Sequence, residues 1–160
     1  MEVHRHFSVR REKLLFGATQ LPSPPATNEG DQRLEVTVIF TSAEATIVAM
    51  DTAAALLSGL NGRISLVVPQ AVPYPLPLEN PPVPRDFSER RFLEIASVSP
   101  VETTVRLYLC RDRLEILPAV LKPRSLAVVG SRKRRWPTWE KSLARKLRRD
   151  GHEVVFIETA

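Results

Sequence analysis

One stretch, residues 125–158 (SLAVVGSRKRRWPTWEKSLARKLRRDGHEVVFIE), constrains the fold more tightly than any other part of the chain. Residues 125–129 are a short apolar run, the kind that a strand buried on both faces produces. The run ends at Gly130 and Ser131, where a small residue permits a sharp turn. Four basic residues follow: Arg132, Lys133, Arg134 and Arg135. Pro137 suits the first position of a helix, and Trp139, Leu143 and Leu147 then recur every fourth residue on one helical face. Gly151 fits a left-handed helix cap, and residues 152–157 carry a second apolar strand. The stretch therefore reads as strand, turn, helix, strand.

The rest of the chain repeats this alternation. Residues 36–40 (VTVIF) are a strong β run, followed by an alanine-rich helix over 43–60 with Thr41 or Ser42 as its N-cap and Asn61-Gly62 as its terminator. Residues 63–68 are a second strand. The segment 69–84 holds seven prolines, which excludes helix and internal strand and predicts an ordered loop bordering, and gating, one end of the sheet. Asp86 and Glu89 have capping-box spacing for a helix to about residue 96. A third strand is expected over 103–109, and a short or kinked helix over 112–121, because Pro118 falls inside it. Five strands alternating with four helices specify an α/β fold, a five-stranded parallel sheet with helices on both faces and right-handed crossovers. Residues 1–33, with Pro22, Pro24 and Pro25 among small polar residues, read as a flexible extension; the domain proper is expected over 34–160.

Charge is distributed unevenly. Residues 124–149 contain ten Lys or Arg against Glu140 alone, a local charge of +9, whereas the remainder carries 13 basic and 17 acidic residues. A local anionic partner and a solvated outer helix face are both compatible with that excess. A single cysteine, Cys110, rules out an internal disulfide framework and fits a reducing compartment. With no adequate apolar core behind the basic N-terminus and no run of membrane-spanning length, the expected location is cytoplasmic.

Taken together, the strand order, the alanine-rich first helix and the run Leu126-Ala127-Val128-Val129-Gly130-Ser131 resemble the universal stress proteins over nearly the whole domain. The resemblance implies strand order 3-2-1-4-5. Thr41-Ser42 and Gly130-Ser131 would then face each other across a ligand crevice between the first and fourth strands. It also implies a homodimer paired through the last strand, with Glu153 and Ile157 at its ends. An apolar edge strand of that kind independently favours pairing.

The chain departs from the pattern of ATP-binding members. Thr41 stands where they carry an acidic residue. Their phosphate motif, Gly-x2-Gly-x9-Gly-Ser/Thr, begins correctly at Gly130 but falls on Lys133, Leu143 and Ala144 thereafter. The glycines that let backbone N–H groups approach a phosphate are missing. Two functions follow. In the first, the chain is a non-enzymatic binding or signalling domain with an altered anion site, formed by Thr41, Ser42, Gly130, Ser131, Arg132, Lys133 and Arg135 beside a helix N-terminus; ATP or AMP is the cofactor class to test. In the second, it is a ligand-free docking module whose basic turn and helix, 132–149, bind an acidic protein or nucleic acid, with Trp136 available for stacking.

Neither catalysis nor a metal site has a pattern behind it. His4 and His6 have no further ligands nearby to complete a metal set. His152 lies at a strand start, away from the ligand end of the sheet, and reads as structural. Cys110 sits beside Arg111 and Arg113, which would favour a thiolate, but a lone strand cysteine more often behaves as a small apolar side chain.

Overall fold

The computed structural model describes residues 34–76 and 85–160, with only the backbone of Arg85, Asp86, Ser88 and Glu89. The elements run β1 (Leu34–Ile39), α1 (Ala43–Leu56), β2 (Gly62–Ala71), α2 (Arg85–Ser97), β3 (Thr103–Cys110), α3 (Arg113–Val120), β4 (Leu126–Arg132), α4 (Trp139–Arg149) and β5 (Glu153–Thr159). The five strands form one sheet of order β3-β2-β1-β4-β5, parallel throughout. The expected fold class and strand order are those observed. The extension 1–33 lies outside the described residues.

Side-chain alternation divides the core into two layers. Val36 and Val38 of β1, Ile64 and Leu66 of β2 and Val128 of β4 pack with Ala49, Met50 and Ala53 of α1 and Phe92, Ile95 and Ala96 of α2. On the other face Ile39, Val67, Ala127 and Val129 pack with Ile116 and Leu117 of α3 and Leu143 and Leu147 of α4. Burying one such leucine contributes about 2 kcal/mol, so the apolar face of α4 holds that helix down despite its basic exterior.

Several boundaries differ from expectation. α1 stops at Leu56, not residue 60, and Gly59 (φ 75°) takes the left-handed turn assigned to Asn61-Gly62. Gly62 instead opens β2, packed so closely on Leu57 that a Cβ would lie 2.4 Å from Leu57 Cδ2.

β2 runs on through Pro69 to Ala71, pairing Pro69 with Tyr108 and Ala71 with Cys110, so part of the proline-rich segment is internal strand after all. The side on which Pro69 lacks its donor explains this. The Val67 carbonyl faces β1, where it accepts from Phe40 N–H at 2.9 Å. Pro69, two residues on, faces the same side, beyond the last β1 ladder pair at Ile39 and Val67. There the missing N–H breaks no ladder bond.

β4 likewise continues past the expected turn. Gly130, Ser131 and Arg132 pair with Ile157, Glu158 and Thr159 of β5. α4 starts at Trp139 with Thr138 as N-cap, its hydroxyl accepting from Lys141 N–H at 3.4 Å, so Pro137 precedes the cap and is not the first helical residue. Similarly, α2 already includes Arg85, which puts Asp86 inside its first turn and not at the cap; the side chains of the capping-box pair are outside the described residues.

Pro118 does fall within α3. It cannot donate to the Leu114 carbonyl one turn back, and Lys146 Nζ of α4 donates to that carbonyl instead, at 3.0 Å. The helix defect thereby becomes a link between α3 and α4.

Candidate functional site at the carboxyl ends of the strands

Thr41 and Gly130 meet, as the strand order requires, but in direct contact. Thr41 Oγ1 donates to the Gly130 carbonyl at 2.6 Å, and Thr41 N–H donates to Thr46 Oγ1 at 3.1 Å. Ser42 caps α1, its hydroxyl accepting from Ala45 N–H at 3.3 Å. Ser131 is buried, and its hydroxyl donates to the Arg132 carbonyl at 3.2 Å. The Arg132 guanidinium pairs with Glu44 in the first turn of α1 at 2.5 Å. Gly130 lies hard against α1: a Cβ there would stand 2.2 Å from the Ala45 carbonyl oxygen. The β1–β4 junction is therefore a closed seam whose hydroxyls and cation already have partners.

Beyond the seam, Lys133 keeps its backbone in register, donating N–H to the Thr159 carbonyl at 2.9 Å, while its side chain and that of Arg135 are exposed. The two other positions of the phosphate motif, Leu143 and Ala144, are buried inside α4. Both positions fall within α4, and neither is a glycine.

On the other side of β1 the carboxyl end is open. A cavity of about 290 Å³ is lined by Phe40 and Thr41 after β1, residues 68–71 of β2, Phe87, Arg91 and Phe92 of α2, and Arg113 at the start of α3. Phe40 and Phe92 meet edge to face, ring centroids 5.0 Å apart, and form an apolar wall. Phe87 and Arg91 are one helical turn apart and reach the mouth from the same face of α2. Gln70 Oε1 is buried without a hydrogen-bond partner, an arrangement that costs roughly 1–3 kcal/mol unless something donates to it. Arg113 is held by stacking on the Trp139 ring, 4.1 Å from its centroid. Arg111, its neighbour but one, stacks on Tyr74 at the same distance and donates to the Val72 carbonyl at 2.9 Å.

No family model and no curated protein matches the sequence. Among solved structures, the crystal structure of a protein from the universal stress protein family from Burkholderia pseudomallei is similar, with 24% sequence identity and a TM-score of 0.51 over 77% of this chain and 94% of that one. The fold is universal-stress-protein-like. In the sheet order β3-β2-β1-β4-β5 the order reverses between β1 and β4, and ligands of open α/β sheets bind outside the carboxyl ends at such a reversal. The closed seam occupies that point; the cavity lies one strand over, at the carboxyl ends of β1 and β2. Of the seven residues expected to bind an anion, Thr41 lines the cavity; Ser42, Gly130, Ser131 and Arg132 build the seam, and Lys133 and Arg135 lie on the exposed turn.

Phe40, Gln70, Phe87, Arg91, Phe92 and Arg113 were not legible as a site. The available signal was the parity of Pro69, which permits β2 to reach Gln70, together with the Phe87–Arg91 spacing on one face of α2.

Cys110, at the end of β3, is buried, and burial pushes its thiol up from 9.0 to about 11; Arg113 pulls the other way and Asp112 adds to the rise. The expected thiolate-favouring effect of the arginines is thus outweighed by burial. His152 is also buried at the opposite end of the sheet, its Nδ1 accepting from Ser125 N–H at 3.2 Å, which is a structural role. Among the described residues no group of His, Cys, Asp and Glu could hold a metal ion, and no helix is long and apolar enough to cross a membrane.

Proposed function

We propose that this chain is a non-catalytic binding and signalling domain of the cytoplasm whose ligand occupies the carboxyl-end cavity beside β1 and β2, one strand over from the seam. One observation carries the reading: two guanidinium groups and an aromatic wall converge on one open space. Arginine supplies charge-assisted bonds to an anion, and the phenylalanines suit a flat ring. A nucleoside monophosphate has both features, and the cavity is at the small end of ligand pockets, which favours AMP over ATP. Residues 34–160 form the working unit, with 1–33 as an extension. Two copies pair through the free edge of β5, whose Val154, Val155, Phe156 and Ile157 are each only half-buried; light scattering reads that directly.

Calorimetric titration of AMP and ATP tests the ligand, with Arg91→Ala, Gln70→Leu and the pair Lys133→Ala, Arg135→Ala alongside. The expected result is micromolar AMP binding, weakened about tenfold by Arg91→Ala, as for loss of a charge-assisted hydrogen bond, and unaltered in the turn variant. Loss in the turn variant alone would move the site to the basic turn. No heat at millimolar nucleotide would reject the nucleotide reading.

A further inference from the structure

The basic excess has two populations. Arg132 and Lys141 are taken up by Glu44 and Glu158, Lys146 by the Leu114 carbonyl, and Arg148 by the Val154 carbonyl at 3.2 Å. Lys133, Arg134, Arg135, Arg145 and Arg149 are exposed and have no side-chain partner among the described residues. The first three form the turn between β4 and α4. Arg145 and Arg149, four apart, stand one above the other on the outward face of α4, a helix of roughly 16 Å that continues from the turn.

Nearby acidic groups do little to cancel this charge. Glu158 is paired with Lys141, and Glu140 turns inward, with Oε2 buried. Asp150 and Glu153 are exposed at the far end of α4.

Beside the turn stands Trp136, 79% exposed. No other large apolar side chain within the turn or α4 is exposed; the rest that are exposed among the described residues lie earlier in the chain, from Leu34 to Val98. A track of cations with a single exposed ring favours one class of partner. A protein interface has an apolar core inside its polar rim, and one indole among cations does not supply it. Single-stranded nucleic acid needs no such core: its phosphates take the cations and an unstacked base takes the aromatic face. A duplex hides its base faces and leaves the indole unused.

We infer that the turn at residues 133–136 and the outward Arg145–Arg149 row of α4 form a binding track for single-stranded nucleic acid, with Lys133, Arg134, Arg135, Arg145 and Arg149 on the phosphates and Trp136 stacked on a base. The track is separate from the carboxyl-end cavity and does not depend on what that cavity binds.

The test is fluorescence anisotropy of a labelled 20-nucleotide oligothymidylate with the full chain, titrated from 50 to 200 mM salt. Five neutralised phosphates on a single strand predict a log–log salt slope of about −3.5, hence roughly a hundredfold loss of affinity across that range. Trp136→Ala is expected to weaken binding about tenfold, Trp136→Phe to restore most of it, and oligonucleotide to quench indole fluorescence in wild type. Arg91→Ala, in the cavity, is expected to leave oligonucleotide affinity unchanged. Because these side chains are exposed, the variants are expected to fold as wild type does, which circular dichroism checks. Polyglutamate binding as tightly as the oligonucleotide, with Trp136→Ala neutral, would overturn the inference in favour of an acidic protein. Duplex preferred over single strand, or a flat salt response, would also overturn it.

Discussion

The two flanks of β1 use similar residue types to opposite ends. On the β4 side, the Thr41 hydroxyl, the Ser42 and Ser131 hydroxyls and the Arg132 guanidinium all bond within the fold. On the β2 side, Arg91 and Gln70 Oε1 have no partner among the described residues, and Arg113 stacks on an aromatic ring. A hydroxyl or a cation at the carboxyl end of a strand is thus not by itself a binding group. What matters is whether the fold has already satisfied it, since a bond to a ligand must replace any bond it displaces.

The seam can be broken most forcibly at Gly130. Gly130→Ala puts a methyl group where the Ala45 carbonyl already lies, and is expected to lower stability by about 3 kcal/mol, read as a shift in the urea midpoint. A shift of a few tenths would mean that α1 is free to move away and that the seam is loose.

Cys110 tests how dry the open flank is beneath its surface. A rise from 9.0 to about 11 leaves roughly a hundredfold less thiolate at pH 8, so the native thiol should resist alkylation that the urea-unfolded chain undergoes readily. The sign for stability follows from proton counts: between pH 9 and 11 the unfolded chain has released the proton and the native one has not. Stability therefore falls as pH rises through that window and is unaffected by this group below it. Cys110→Ala should flatten that part of the curve relative to wild type; an unchanged curve would show that the thiol is solvated.

The smallest effects separate two seam bonds of different burial. Thr41→Val leaves the Gly130 carbonyl without its donor and should cost about 1–2 kcal/mol. Arg132→Ala removes an exposed ion pair, with 52% and 73% of the side chains accessible, and should cost under about 0.5 kcal/mol. Equal costs would mean that the seam is held by charge and not by the half-buried Thr41 hydroxyl.

The sheet was readable because its information is local and periodic. The apolar runs of β1 and β4, the alanines facing inward from α1 and the Trp139–Leu143–Leu147 row each declare their element within a few residues. The cavity was not readable because it is assembled from four separate elements, and part of its lining is Gln70, beyond a proline that ordinarily ends a strand. Whether Pro69 is tolerated depends on where β1 stops, which is a property of the pairing register and not of residues 69–71. The same limit hid the seam. Thr41 and Gly130 were correctly brought together, but whether they would bond or stand apart turns on how closely the small residues let α1 approach β4.

Gly130 stands where the resemblance puts the first glycine of a phosphate-binding signature, yet the space its missing side chain would fill is taken by the main chain of α1. Selection for folding alone is enough to hold a glycine there. A lineage with this architecture could lose nucleotide chemistry one glycine at a time and still keep this one, as a residue of packing mistaken for a residue of function. The informative positions in such descendants are the later members of the signature, where nothing but the ligand asks for a glycine.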